Sequence, residues 1–296
     1  MACTCCGLAA ETRTVVNRYY LIIGVFPVGY ALLLLTLYFL QGSLLFFPPD
    51  LDKEQVRFFG EAKGWTRIPL VARDGTELNA WHGPAYGTVK GVVIYAHGNG
   101  GWVFDAMEWK TRLQKEGWHV LSVGYRGYPD SNGSPSEWGL KQDISATYTF
   151  ARSELAMEPG QIVFHGRSLG GGLVGAVMLD LPNAGLILES TFTSITDRAS
   201  ELYPYVPVRW LLKHRFETAS RAPGYTQPVL IFHSTHDEVI PVAHGRRLSE
   251  RFPNGTYVEM HGWGHNDAVL GVEQEYTQRA ISFLSTRVRR LDGGLQ

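Results

Sequence analysis

The stretch that most constrains this chain is Gly166-Arg167-Ser168-Leu169-Gly170. Before it runs Gln161-Ile162-Val163-Phe164-His165, rich in strand formers. After it, Gly170-Gly171-Gly172 opens into Leu173-Val174-Gly175-Ala176-Val177-Met178-Leu179, which reads as a buried helix. A serine in G-x-S-x-G between a strand and a helix is the nucleophile-elbow pattern. The turn is so tight that the flanking residues must be nearly side-chain-free, and the serine is held in strained backbone geometry with its hydroxyl exposed. The following helix aims its N-terminal N–H groups at any oxyanion that develops there. The bare pentapeptide is common by chance, so the rest of the chain must supply the partners such a serine needs.

Strand and helix signals alternate along most of the sequence. Trp65–Ala72 and Glu77–His82, turning at Arg73-Asp74-Gly75, read as a β-hairpin. Gly91–Ala96 is an apolar strand, Phe104–Glu116 a helix and His119–Val123 the next strand; Pro135–Leu155 reads as a helix with proline in its first turn. Beyond the serine come strands at Gly185–Leu188, Val229–His233 and Thr256–Met260, with helices at Ala243–Arg251 and Glu273–Arg290. The alternation predicts an α/β fold with a mostly parallel central sheet and helices on both faces. Residues 191–222 interrupt it. They include the proline-broken apolar run Leu202–Leu212 and read as a short cap over the sheet's carboxyl edge. Basic and acidic residues nearly balance, 27 against 28, so nucleic acid is not an expected partner.

The amino terminus is different. From Tyr19 to Pro49 there is no charged residue, and about 20 such residues span a hydrocarbon core as a helix. Three segments are therefore expected: a tail, 1–18; a transmembrane signal-anchor helix, 19–47; and a catalytic domain, 48–296. Pro27 should kink the helix or sit near its entry. Tyr19 and Tyr20 at one end, with Phe46 and Phe47 at the other, fit interfacial anchors. A cleavable signal peptide is the rival reading, but the apolar run exceeds a usual signal core and lacks a clear A-x-A site. Arg13 and Arg18 precede the span, which puts the tail in the cytoplasm and the domain on the extracytoplasmic side. Cys3, Cys5 and Cys6 are all the cysteines. The remainder has no disulfide or Cys-based metal site, and the three thiols are either S-acylation sites or an unmodified tail.

An acyl-transfer serine needs a base, an orienting acid and an oxyanion hole. In open α/β sheets such groups gather at the strands' carboxyl ends. Ser234-Thr235-His236-Asp237-Glu238 follows one strand and His261-Gly262-Trp263-Gly264-His265-Asn266-Asp267 another. Asp237 and His265 are the expected partners of Ser168, with Glu238 and His261 as their neighbouring alternatives. His97, His165, His233 and His236 are read as structural. The backbone N–H groups of Asn99, after His97-Gly98, and of Leu169 are the expected oxyanion donors.

His97-Gly98-Asn99-Gly100, Tyr125-Arg126-Gly127-Tyr128 with Gly133-Ser134-Pro135-Ser136-Glu137, the serine segment and Gly264-His265-Asn266-Asp267 together resemble the BEM46-type group of α/β-hydrolases. The likeness runs over essentially the whole chain, including the leading apolar helix. It implies the α/β-hydrolase fold, with Ser168 as nucleophile, Asp237 as orienter and His265 as base. Two positions depart from the group: Gly124 stands where Asp is common, and Pro129 where Gly is usual. The cysteine-rich start is similar to that of mammalian protein depalmitoylases of the superfamily, which usually lack a spanning helix.

The expected function is a membrane-anchored serine hydrolase cleaving carboxylic esters, with no cofactor or metal. Its partners would be a small-molecule or lipid ester and the bilayer. Alternatives are an acyl-protein or acyl-CoA thioesterase, a serine peptidase and a silent membrane scaffold. Asn132-Gly133-Ser134 and Asn254-Gly255-Thr256 are potential glycan acceptors in a eukaryotic secretory host. With the helix as a membrane tether, deleting residues 1–47 is expected to leave hydrolysis of a short soluble ester near normal and sharply lower turnover of a long-chain, bilayer-embedded ester.

Overall fold

The computed structural model describes residues 26–267 and 269–292, so Cys3, Cys5, Cys6, Arg13, Arg18, Tyr19 and Tyr20 lie outside the described residues. The first described element is α1 (Phe26–Leu45), 20 residues of mean hydropathy 1.7, long and apolar enough to cross a membrane. Pro27 is its second described residue. One stripe, Leu34, Leu37, Gln41 and Leu45, is half-buried or buried, while Leu33, Leu35, Phe39 and Leu40 are exposed. Their spacing of three and four puts the stripe on one helix face.

Helix α2 (Lys53–Ala62) follows a reciprocal cap: Asp52 Oδ1 accepts the Gln55 N–H at 2.7 Å, and Gln55 Oε1 accepts the Asp52 N–H at 3.0 Å. The chain then makes β1 (Thr66–Val71), β2 (Glu77–Gly83), β3 (Gly91–Ala96), α3 (Met107–Lys115), β4 (Trp118–Ser122) and α4 (Glu137–Ser153). Next come β5 (Ile162–Arg167), α5 (Leu169–Val177) and β6 (Gly185–Glu189). The cap segment carries α6 (Ile195–Leu202), α7 (Val208–Leu211) and α8 (Thr218–Arg221), after which β7 (Val229–Ser234), α9 (Ala243–Arg251), β8 (Gly255–Met260) and α10 (Gln274–Asp292) complete the fold.

The strands form one sheet in the order β1-β2-β4-β3-β5-β6-β7-β8. β1 and β2 are antiparallel to their neighbours, and every pair from β4 through β8 is parallel. Because side chains alternate across a strand, β3 sends Val92, Ile94 and Ala96 into the core against α4 and α5, and Val93 and Tyr95 into a second core against α3 and α10. The registers bring the carboxyl ends level: Ala96 pairs with Gly166, Arg167 with Glu189 and Ser234 with Met260. Every expected catalytic group follows one of these ends.

One expectation needs correcting. α4 begins at Glu137, capped by Ser136 Oγ accepting the Gly139 N–H at 3.0 Å, so Pro135 lies before the helix and not in its first turn. Its ring packs instead against Gly127, where a Cβ would stand 2.6 Å from Pro135 Cδ and φ is +73°.

Candidate active site

Ser168 sits between β5 and α5 with φ +52° and ψ −117°, far from any region a serine adopts freely. Its neighbours explain how the turn closes. A Cβ on Gly166 would stand 2.4 Å from the Gly170 carbonyl oxygen, and one on Gly170 2.0 Å from that of Ala96. The strained conformation is held from two sides: the Ser168 N–H donates to the Glu189 carbonyl at 2.9 Å, and its carbonyl accepts Thr191 Oγ1 at 2.7 Å.

His265 reaches both partners with one ring. Nδ1 is 2.8 Å from Asp237 Oδ2, and Nε2 is 3.0 Å from Ser168 Oγ. The Asp237 carboxylate is buried, with Oδ1 accepting the Val239 and Ile240 N–H groups at 3.0 and 2.7 Å. Burial pushes this carboxyl up, but bonds from His233, His265 and the Ile240 N–H outweigh it and hold it well below the usual carboxylate range. A carboxylate so fixed orients the imidazole and stabilises its cation, and the imidazole can accept the proton of the serine hydroxyl.

The alternatives fall elsewhere. Glu238 Oε2 accepts the backbone N–H of His265 at 3.0 Å, so it holds the histidine loop and leaves the ring to Asp237. His261 is exposed. His165 is buried between Trp109 Nε1, 3.0 Å from Nδ1, and Glu189, 3.3 Å from Nε2; His233 Nε2 bonds the Ile240 carbonyl at 2.8 Å. Burial pushes the His97 imidazole down to about 4, so it packs as a neutral ring stacked on Tyr125.

Across Ser168 lies the loop after β3. A Cβ on Gly98 would be 3.5 Å from Ser168 Cβ, so the backbone leading into Asn99 runs against the serine. The Asn99 side chain is a clip: Oδ1 accepts the Phe47 N–H at 2.8 Å and Tyr128 Oη–H at 2.9 Å, while Nδ2 donates to the Leu45 carbonyl at 2.6 Å. Tyr125 Oη donates to the His97 carbonyl at 2.9 Å. The Tyr-Arg-Gly-Tyr segment is thus the brace of this loop. Arg126 anchors the brace on Asp143 and Asp74 at 2.8 and 2.6 Å. Leu169 opens α5, whose first N–H groups have no helical acceptor.

An uncharacterized protein of Mycobacterium tuberculosis (strain H37Rv), Rv2307c, is 32% identical over 205 residues, 69% of this chain and 73% of that protein. The lysophosphatidylserine lipase ABHD12 of Danio rerio is 31% identical over 208 residues, 62% of this chain and 53% of that protein. The α/β-hydrolase family model described as TAP-like protein matches residues 208–287. This chain belongs to the α/β-hydrolase superfamily. Among solved structures, the Pyrococcus furiosus esterase Pf2001 superposes with a TM-score of 0.63 at 15% identity, covering 82% of this chain and 98% of that one, a likeness of fold.

Within this α/β-hydrolase, the roles of four groups escaped the sequence reading: the Asn99 side chain, Tyr128, Glu238 and Arg167. Arg167 lies in the serine motif itself. Its guanidinium donates to the His265 carbonyl at 2.6 Å and lies 3.8 Å from the buried Glu189 carboxylate, tying the histidine loop to the end of β6. The departure at Gly124 also has a cause: a Cβ there would stand 2.0 Å from the Asn79 carbonyl oxygen.

Proposed function

We propose that this protein is a membrane-anchored serine hydrolase that cleaves carboxylic esters with a lipophilic acyl group. The observation that carries the reading is the doubly bonded His265 ring, 2.8 Å from Asp237 and 3.0 Å from a serine at φ +52°. In the proposed reaction, Ser168 Oγ attacks the ester carbonyl carbon as His265 Nε2 takes its proton. The carbonyl oxygen becomes an oxyanion facing the N–H groups of Asn99 and Leu169. The acyl–oxygen bond then breaks, His265 returns the proton to the leaving alcohol, and the acyl group stays on Ser168. Water, deprotonated by His265, attacks the acyl carbon; collapse releases the acid and restores the Ser168 hydroxyl.

An ester linked to a long chain is favoured over a freely soluble one because α1, taken as a membrane anchor, would hold the site beside a bilayer, where an amphiphile is concentrated. The lipase name of the Danio rerio relative supports the same substrate class. We place the tail in the cytoplasm and the catalytic domain outside it, on the strength of Arg13 and Arg18. Proteolysis of sealed vesicles tests that orientation, and digestion of the domain from the cytoplasmic side alone would reverse it. The activity is tested by Ser168→Ala, which should lower kcat by about 10⁶-fold with unchanged thermal unfolding. Full esterase activity in that variant would refute the reaction.

A further inference from the structure

α1 lies along the cap segment. Tyr30 Oη donates to the Tyr205 carbonyl at 2.6 Å. Gln41 Nε2 donates to the Leu211 carbonyl at 3.2 Å, and its Oε1 accepts the Lys213 N–H at 2.7 Å. The Lys213 ammonium stands 3.9 Å from the centre of the Tyr38 ring. From Tyr30 to Leu45 is about 22 Å of helix at 1.5 Å per residue, whereas a bilayer core is about 30 Å thick. A cap in contact as far along as Tyr30 therefore reaches the part of α1 that lies in hydrocarbon. Its surface suits that place. Tyr205 and Trp210 are 89% and 88% exposed, amphipathic rings of the kind that settle at the headgroup boundary. The long stem of the exposed Arg209 lets its charge reach the same layer.

Between α1 and the cap is a cavity of about 370 Å³, within the roughly 300–1,000 Å³ range of ligand sites. Leu37 and Leu44 line it from the helix; Ala199, Leu202, Val206 and Leu211 line it from the cap. Gln41, Arg198 and the Tyr203 hydroxyl are its polar members; the Gln41 head is engaged by the cap backbone and Arg198 Nε by the Val239 carbonyl at 2.9 Å. Two of its lining residues, Leu45 and Arg198, bond groups next to the candidate site. Leu45 gives its carbonyl to Asn99 at 2.6 Å, and Val239 is two residues beyond Asp237.

We infer that this cavity takes up the acyl chain of a bilayer lipid, and that the cap is sunk into the same leaflet so that the chain enters sideways without crossing water. The assignment deepens the ester-hydrolase reading and rests on it for the identity of the reacting group; chain binding itself requires no catalysis. An alkyl chain is the occupant that an apolar wall continuous with a lipid-facing helix selects, because burying each methylene there is favourable and no polar partner is left unpaired.

Two measurements on the full-length protein in phosphatidylcholine vesicles decide it. In the first, Ser168→Ala protein is irradiated with a phosphatidylcholine carrying a diazirine in its acyl chain, and the adducts are mapped. Cross-links on Leu44, Ala199 or Leu202 that disappear when Ala199→Phe is added support the cavity. Cross-links confined to Leu33, Leu35, Phe39 and Leu40, the outward face of α1, overturn it. In the second, Ala199→Phe should lower the ratio of sixteen-carbon to four-carbon ester turnover about tenfold, equivalent to leaving two methylenes unburied. A ratio equal to that of the parent overturns the assignment; Leu202→Trp repeats the test should Ala199→Phe fold poorly. A parent protein without esterase activity would refute the hydrolase reading and leave the cross-linking result to decide the cavity.

Discussion

His265 and Asp237 are fixed by loops that leave β7 and β8, whereas Asn99, on the other side of Ser168, is fixed by the exit of α1. On the acid–base side the supporting groups are Glu238, Arg167 and the Val239 and Ile240 N–H groups, all in the sheet domain. On the proposed oxyanion side Leu45 and Phe47 hold two of the four side-chain bonds of Asn99, and Phe46 between them, expected as an interfacial anchor, is instead buried against His214. The difference teaches that the apolar helix is more than a tether. In the proposed reaction, removing it should leave the acid–base half intact and unclip the half proposed to receive negative charge.

The largest effect should come from breaking the acid–base side. Asp237→Asn keeps the shape but no longer stabilises the imidazolium, and kcat should fall about 10⁴-fold, as stopped assays on a four-carbon ester would record. Deletion of residues 1–47 comes next. Loss of the clip should cost up to the ~10²-fold associated with one oxyanion donor, now on a short soluble ester as well as a long one. This departs from the expectation for a tether alone, and unchanged short-ester turnover in the deletion would restore that simpler view. Asn99→Ala in the full chain separates the clip from the helix: it should reproduce most of the loss while leaving the protein in the membrane fraction.

A weaker effect is expected at Glu238. Removing its charge-assisted bond to the His265 N–H by Glu238→Ala should lower kcat about tenfold, in keeping with the ~1.5–3 kcal/mol of such bonds. Glu238→Gln, which still accepts, should recover most of it. Loss without rescue would point to a general loosening of the loop.

The smallest effect concerns stability on the oxyanion side. Lys110 is fully buried, donates to the Val103 carbonyl at 2.7 Å and faces the Tyr95 ring at 4.2 Å. Burial pushes its ammonium down to about 7 from an ordinary 10.5. Between those values the unfolded chain binds the proton and the folded one does not, so stability rises with pH across about 7 to 10.5 and is lost as pH falls back through 7. Lys110→Met should flatten that slope in urea titrations. A slope equal to that of the parent would show that Lys110 stays charged in the fold.

What was legible in the sequence followed from local rules. The strand-turn-helix around Ser168 needs bare residues at Gly166 and Gly170, and the loops carrying Asp237 and His265 follow apolar strands whose ends the topology makes level. The brace was not legible. Tyr128 and Asn99 are 29 positions apart, and Asn99 and Leu45 are 54 apart, so no periodicity or spacing couples them. Glu238 was visible only as a competitor to Asp237, because which of two adjacent carboxylates meets the imidazole depends on a turn held by the Val239 and Ile240 N–H groups. Pro135 was misplaced for a related reason: Ser136 caps α4 with its side chain, and the proline ring serves Gly127 across the loop.

The central claim, that Ser168 is the nucleophile of an esterase site, is tested most directly by labelling the full-length protein in native membranes with a fluorophosphonate and mapping the adduct. A single adduct on Ser168, absent in Asp237→Asn over the same interval and slowed in the 1–47 deletion, is the predicted result. No adduct in the parent protein, or an adduct on another residue, would contradict it.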